Sequence, residues 1–163
     1  MTPPEDAAAA DPAMMRQAID LARASVRDGG GPFGCVIVRD GKVIAKGRNQ
    51  VVPHHDPTAH AEVEAIRAAC SALGTHLLSG CELYTSCEPC PMCLAAIWWA
   101  RLDRVYFGAT RQDAAAIGFD DERIYAELAA ELSARELPIR PLLRDQALQA
   151  FADWRDKPDR VEY

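Results

Sequence analysis

Apolar positions follow helical spacing first and strand spacing next, and this order predicts an α/β domain. An apolar face at helical spacing predicts a first helix over about residues 12–28. Two β-rich runs follow, 33–38 and 43–47. Asp40-Gly41 lies between them, and this pair at such a position is a strong hairpin signal. The first run is almost continuously apolar, which indicates a strand covered on both faces.

The remainder of the chain continues to alternate. The predicted elements are a helix over 57–73, a strand over 82–85, a helix over 91–100, a strand over 104–107, a helix over 120–133, an edge strand over 139–143 and a closing helix over 145–155. Strands that alternate with helices indicate a layered α/β domain with parallel neighbours in the later part of the sheet.

Length and composition fit one enzyme-sized domain. The 163 residues can bury a core without disulfides, and we expect a flexible tail over 1–11 and a single domain over 12–163. The net charge of -6 argues against a nucleic-acid partner. No apolar run approaches the ~20 residues that span a membrane. The acidic start argues against a secretory signal, and the six cysteines suit a reducing cytoplasm.

Two short motifs carry the chemistry. His60-Ala61-Glu62 is followed by Pro89-Cys90-Pro91-Met92-Cys93, and the order H-x-E then P-C-x-x-C is the signature of zinc-dependent nucleobase deaminases. His60, Cys90 and Cys93 supply three zinc ligands, which leaves the fourth tetrahedral position open for water, as in catalytic sites. Glu62 is then free to act as general acid and base.

Spacing places both motifs at helix starts. Pro91 favours the first turn of a helix, and Cys90 and Cys93 then share one face at its entry. The alternative pair Cys87 and Cys90 is also a C-x-x-C, but we interpret Cys87 as a buried residue at a strand end. His54 and His55 are interpreted as loop or surface residues, with substrate contact left open.

Longer segments show a family resemblance. Thr85-Ser86-Cys87-Glu88-Pro89-Cys90-Pro91-Met92-Cys93, Trp98-Trp99-Ala100 and Gly118-Phe119-Asp120-Asp121 resemble the bacterial guanine deaminases of the cytidine-deaminase-like superfamily. Gly31-Pro32-Phe33-Gly34, Asn49 and the ending Glu162-Tyr163 fit the same family. The similarity covers about residues 12–163, essentially the whole domain.

The resemblance implies a fold, a reaction and a set of site residues. The fold would be a three-layer α/β/α domain with a mixed central sheet of about five strands. The reaction would be hydrolysis of guanine to xanthine and ammonia, with one Zn²⁺ per subunit, Glu62 as the catalytic residue, and a C-terminal lid. The partner would be a small-molecule nucleobase. The protein would be a homodimer whose subunits exchange C-terminal elements. The implied substrate-binding residues are Phe33, Asn49, Ala61, Trp99, Asp121 and Tyr163.

Alternatives remain open from the residues themselves. Phe33 and Trp99 are also compatible with core positions, Asn49 with a turn, and Asp121 with a helix cap. Guanosine, another amino-purine or a triazine such as ammeline are alternative substrates. A tRNA adenosine deaminase shares the zinc signature but should carry a basic surface. A non-catalytic zinc protein would have no use for Glu62.

Overall fold

A computed structural model describes residues 10–163, which form two compact units, one ending at Asp121 and the other spanning 122–163. Most of the tail predicted over 1–11 lies outside the described residues. At its end, the Asp11 side chain accepts a hydrogen bond from Ala13 N and caps the first helix. Among the described residues, no helix has the length and apolar character needed to span a membrane.

The first unit is built on a mixed sheet. Its strands are β1 (Gly34–Arg39), β2 (Lys42–Arg48), β3 (Cys81–Cys87) and β4 (Arg104–Ala109), in the order β2-β1-β3-β4. β1 is antiparallel to β2 and β3, whereas β3 and β4 are parallel. The predicted mixed sheet is therefore confirmed, with four strands in the described part of the chain rather than about five.

From residue 10 onwards, five helices of this unit accompany the sheet. They are α1 (Pro12–Arg27), α2 (Val51–His54), α3 (Ala61–Leu73), α4 (Pro91–Trp99) and α5 (Arg111–Ala116). α1 packs on one face of the sheet and α3 on the other, where α3 also contacts α4. This arrangement confirms the three-layer α/β/α fold.

Each face of the sheet buries its own apolar cluster. Val36, Val38 and Tyr84 point towards the methionines of α1, while Ile37 and Leu83 point towards α3. Successive side chains of a strand point to opposite faces, so a strand covered on both sides must be apolar throughout. β1 is buried at its first five positions, as the continuous run predicted.

Local turn chemistry fixes the hairpin between β1 and β2. Asp40 and Gly41 both have positive φ angles, 51° and 71°. Two consecutive residues with positive φ are the requirement of a type I′ turn, which matches the twist of the flanking strands. The predicted hairpin is confirmed.

β2 and α3 approach each other closely at Gly47. A Cβ atom at this position would lie 2.1 Å from the Ala61 carbonyl oxygen and 2.6 Å from Ala65 N. Because both atoms belong to the helix backbone, only glycine allows this approach. The contact sets the first turn of α3 directly on the sheet.

The start of α3 differs from the prediction. The sequence predicts a helix from Pro57, but α3 begins at Ala61. The Asp56 carboxylate accepts hydrogen bonds from the Thr58 backbone N at 2.8 Å and from its hydroxyl at 2.7 Å. This turn, in which an Asp side chain binds the backbone two residues on, competes with helix and delays it.

The second unit contains α6 (Glu122–Ala129), a short 3₁₀ helix (Leu132–Ala134) and α7 (Arg144–Asp156). α7 confirms the predicted closing helix, and the helix predicted over 120–133 is shorter than expected. The predicted edge strand over 139–143 is wrong, because this segment has no strand structure. Pro138 and Pro141 have no backbone N–H to donate to a sheet, which explains the difference.

Candidate metal centre and active site

Two helix starts carry the two motifs. His60 is the N-cap of α3, and Cys90 is the N-cap of α4, both with extended backbone angles. An N-cap residue lies just before the first helical residue, next to backbone N–H groups that have no acceptor within the helix and carry partial positive charge. The predicted placement of both motifs at helix entries is confirmed.

His60, Cys90 and Cys93 form a metal-binding cluster. Their ligand atoms all lie within 4.8 Å of one another. His60 Nδ1 lies 3.6 Å from Cys90 Sγ and 3.5 Å from Cys93 Sγ. Zinc bonds of about 2.0 Å to nitrogen and about 2.3 Å to sulfur, at a tetrahedral angle, separate N and S by roughly 3.5 Å. The donor set and its spacing therefore fit one zinc ion.

Hydrogen bonding within the cluster shifts the pKa values of all three ligand side chains and makes Cys90 the more acidic thiol. The pKa of the Cys90 thiol is lowered to about 4, mainly by the hydrogen bond from the Cys93 thiol and also by the one with His60. The pKa of Cys93 is raised, first by its hydrogen bond to Cys90 and then by burial and by the negative charge of Glu62. Hydrogen bonding to Cys90 raises the pKa of His60. A thiolate at a helix start is a ready ligand for zinc.

Glu62 lies beside this cluster but outside its ligand set. Its side chain is 5% exposed, and Oε1 accepts a 2.9 Å hydrogen bond from the Thr85 hydroxyl. Oε2 lies 3.4 Å from Cys93 Sγ. Burial raises the pKa of Glu62 above its ordinary value, although the hydrogen bonds from Thr85 and Cys93 oppose the shift. A buried carboxyl group with a raised pKa is suited to proton transfer near neutral pH.

Cys87 takes no part in the metal cluster. It ends β3, is buried, and directs its thiol towards the Thr110 carbonyl oxygen at 3.6 Å. Burial, with the charge of Glu62 as a further cause, raises the pKa of the Cys87 thiol to about 11. The structure thus supports the interpretation of Cys87 as a buried strand-end residue.

Asn49 follows β2 and is held in one orientation. Its side chain is 6% exposed, and Oδ1 accepts hydrogen bonds from Gly31 N at 3.2 Å and Val51 N at 3.3 Å. Its backbone oxygen accepts from the buried Ser25 hydroxyl at 3.0 Å. Two backbone donors occupy the amide oxygen, so the NH₂ group is the part of Asn49 directed to other partners.

Phe33 precedes β1 and belongs to an aromatic pair. Its ring contacts Phe119 edge to face, with centroids 4.9 Å apart and an interplanar angle of 87°. Its carbonyl oxygen accepts from Asn49 N at 3.0 Å. This backbone hydrogen bond places Phe33 and Asn49 next to each other, and their contact with substrate stays a prediction.

The remaining predicted residues occupy different surroundings. Ala61 is buried at the first position of α3, where its N–H has no acceptor within the helix. Burial raises the pKa of Asp121, and the negative charge of Cys90 adds to this shift, while the role of Asp121 stays a prediction. Trp99, at the end of α4, is 60% exposed. Tyr163 belongs to the second unit, and its role stays a prediction.

Two residues of the site were not identified from the sequence. Phe119 belongs to the Gly118–Asp121 segment that supports the resemblance, but the sequence did not identify it as the ring that packs against Phe33. Thr85 shares its side of β3 with buried Leu83 and Cys87. A hydroxyl at an inward position of a central strand is a signal that period-two spacing could have revealed. His54 and His55 are exposed, at the end of α2 and just after it.

Comparisons with known proteins agree with this site. Residues 9–109 match the family model of the cytidine and deoxycytidylate deaminase zinc-binding region. Guanine deaminase from Bacillus subtilis is 49% identical over 91% of this chain and 96% of its own length. Its solved structure superposes with a TM-score of 0.91 over 95% of this chain and 99% of that chain, at 47% identity.

Other relatives are similar over shorter or looser alignments. The solved guanine deaminase from Nitrosomonas europaea has a TM-score of 0.66 at 35% identity, over 87% of this chain and 73% of that chain. A tRNA-specific adenosine deaminase from Agrobacterium fabrum is 53% identical, but over only 48% of this chain and 51% of its own length.

Proposed function

The chain belongs to the guanine deaminase family within the zinc-binding cytidine and deoxycytidylate deaminases, and from this membership we propose that it hydrolyses guanine to xanthine and ammonia. The observation that carries the proposal is the buried carboxyl group of Glu62, placed against a three-ligand zinc set. A structural zinc site has four protein ligands and needs no such neighbour. The near full-length similarity to the Bacillus subtilis protein supports guanine as the base.

The reaction needs one proton carrier. Zinc held by His60, Cys90 and Cys93 supplies an activated water when bound. Glu62 takes a proton from the water that attacks guanine C2 and gives it to N3. Glu62 then transfers the second proton of that water to the amino group, so that ammonia leaves and C2 becomes the carbonyl carbon of xanthine. A raised pKa lets the same carboxyl group accept and release protons.

Asn49 would select the base by its donor group. Because Gly31 N and Val51 N occupy Oδ1, the NH₂ group would donate to an acceptor on the purine edge. Guanine presents the carbonyl O6 and N7 as acceptors, whereas adenine presents an amino group in place of O6. Phe33 would support the ring of the base, and the N–H of Ala61 would donate to it.

The other substrate contacts are part of the same proposal. Trp99 would stack on the base, and Asp121 would accept from guanine N–H groups. Tyr163 would close the site as part of a C-terminal lid that excludes water. In this proposal residues 12–163 act together as one functional unit.

We extend the proposal to assembly and location. Leu94, Trp98 and Trp99 expose large apolar surfaces on α4, and a second copy of the chain would cover part of them in a homodimer. Exchange of C-terminal elements within that dimer would place the lid of one subunit on the other. The six cysteines are free thiols, which supports a reducing cytoplasm.

A substrate panel tests the function. Purified zinc-loaded protein is assayed for ammonia release from guanine, guanosine, cytosine, adenine, ammeline and a tRNA anticodon stem-loop. We expect guanine to have the highest kcat/KM and adenine to be inert. A higher kcat/KM for guanosine or ammeline would support hydrolytic deamination but refute guanine as the substrate. Turnover of the RNA with no turnover of guanine would refute the whole proposal.

A further inference from the structure

The Thr85 hydroxyl belongs neither to the metal ligands nor to the proposed substrate contacts. We infer that Thr85 is a positioning residue that fixes the orientation of the Glu62 carboxyl group for proton transfer. The inference rests on the proposed function of Glu62, but its physical basis is a contact between two named atoms. Thr85 Oγ1 donates to Glu62 Oε1 at 2.9 Å.

Thr85 provides a rigid attachment point. It lies in the central strand β3, where it pairs with Cys35 of β1 on one side and Phe107 of β4 on the other. Its side chain is fully buried. A β-branched residue in such a strand has few accessible χ1 rotamers, so its hydroxyl occupies a fixed place. The carboxyl group of Glu62 is thus attached to the sheet as well as to its own helix.

The attachment determines which oxygen faces the metal cluster. Oε1 is turned towards the sheet by Thr85, and Oε2 lies 3.4 Å from Cys93 Sγ, on the ligand side. A glutamate side chain has three rotatable bonds and loses substantial freedom when it is ordered. Without the hydroxyl, Oε1 would lose this donor, and the carboxyl group could rotate away from the reacting atoms. Small errors of position reduce proton transfer strongly.

Packing alone does not explain a threonine here. The neighbours on the same side of β3, Leu83 and Cys87, are buried, and valine would fill the same volume as threonine. Burying a hydroxyl is unfavourable unless it is hydrogen-bonded. In the described part of the chain this hydroxyl bonds to Glu62. The functional partner is therefore what favours threonine over valine.

Three substitutions test the inference. Thr85→Val removes the hydroxyl at nearly constant volume, and Thr85→Ser retains it. Ser86→Ala is the matched control, because it removes the next hydroxyl of the same strand, which accepts from Gly34 N at 3.0 Å. Each variant is measured for kcat and KM with guanine, for zinc content and affinity by competition with a chelator, and for thermal stability. Crystal structures of the zinc-loaded variants show the orientation of Glu62.

We expect Thr85→Val to lower kcat by about 10- to 100-fold, as for loss of a hydrogen bond to a charged group, with KM and zinc affinity unchanged. Thr85→Ser should restore most of kcat, and Ser86→Ala should leave it unchanged. The Glu62 carboxyl group should be rotated in the Thr85→Val crystal structure and not in the Thr85→Ser structure.

Two results would overturn the inference. One is a Thr85→Val variant with full kcat, and the other is an unchanged Glu62 orientation in its crystal structure. Failure of the proposed function looks different, because the wild-type protein would then leave guanine unchanged. In that case the orientation of Glu62 in the variant structures still decides whether Thr85 positions it.

Discussion

The contact between β2 and α3 at Gly47 gives a sharp test of how the fold positions the site. Gly47→Ala introduces a Cβ atom 2.1 Å from the Ala61 carbonyl oxygen and 2.6 Å from Ala65 N. A normal carbon–oxygen contact is at least about 3 Å, so the first turn of α3 must move by roughly 1 Å. Overpacking of this kind lowers the free energy of unfolding by about 1–3 kcal/mol. We expect a value near the upper end, about 3 kcal/mol, because the clashing atoms belong to the helix backbone and cannot rotate away as a side chain could.

The expected signal is large enough to measure. For a chain of this size, about 3 kcal/mol lowers Tm by roughly 6–12 °C. Zinc binding should also weaken about tenfold or more, because the ligand His60 moves with the start of α3 while Cys90 and Cys93 stay on α4. Thermal unfolding followed by circular dichroism gives the stability, and chelator competition gives the zinc affinity.

Gly74→Ala is the control at the other end of the same helix. Gly74 has a φ of 64° and no atom within 4 Å of an added Cβ, so this substitution tests backbone strain without a clash. We expect the free energy of unfolding to fall by about 1 kcal/mol and the zinc affinity to be unchanged. The reasoning is refuted if Gly47→Ala is no more destabilised than Gly74→Ala and binds zinc as tightly as the wild type.

Two further predictions concern the amide and the thiols of the site. Asn49→Asp retains an acceptor for Gly31 N and Val51 N but removes the NH₂ donor, so kcat/KM for guanine should fall about 100-fold or more in steady-state assays with zinc content unchanged; an unchanged kcat/KM would show that this donor does not read the base. Cys93→Ser should lose most of the bound zinc in elemental analysis, whereas Cys87→Ala should retain one zinc ion per chain; the reverse result would show that Cys87 and Cys90, not Cys90 and Cys93, hold the metal.

Much of the fold could be predicted because local rules and tertiary packing agree. Asp40-Gly41 supplies the positive φ angles of its turn. The continuous apolar run of β1 reflects burial on both faces. Pro91 and Cys90 begin α4 as the spacing indicates, and the two motifs meet because each lies at a helix start beside the sheet.

Failures occurred where side chains compete with regular structure. Asp56 binds the backbone of Thr58 and delays α3 to Ala61, and a helical pattern does not reveal this turn. The segment around Pro141 has β-branched and apolar residues but lacks the donor that an edge strand requires. Both differences come from single residues, and the spacing of apolar positions along the chain does not reveal them.

Within the site, the zinc ligands could be predicted from the sequence, but the hydrogen bonds that orient Glu62 and Asn49 could not. Ligand type and spacing identify His60, Cys90 and Cys93 directly. The role of Thr85 depends on which strand position faces Glu62, and that position is fixed by the register of β3 with β1 and β4. The orientation of Asn49 likewise depends on two backbone N–H groups that no motif contains.

The central claim is that Glu62 carries the protons of a zinc-dependent hydrolysis of guanine. The most direct measurement is xanthine formation by the wild type and by Glu62→Gln, both loaded with one zinc ion per chain. Glutamine retains the shape and an acceptor for the Thr85 hydroxyl, so fold and zinc content should be preserved while kcat falls by about 10²- to 10⁴-fold. A Glu62→Gln variant that forms xanthine at the wild-type rate, or one that loses its zinc, would contradict the account.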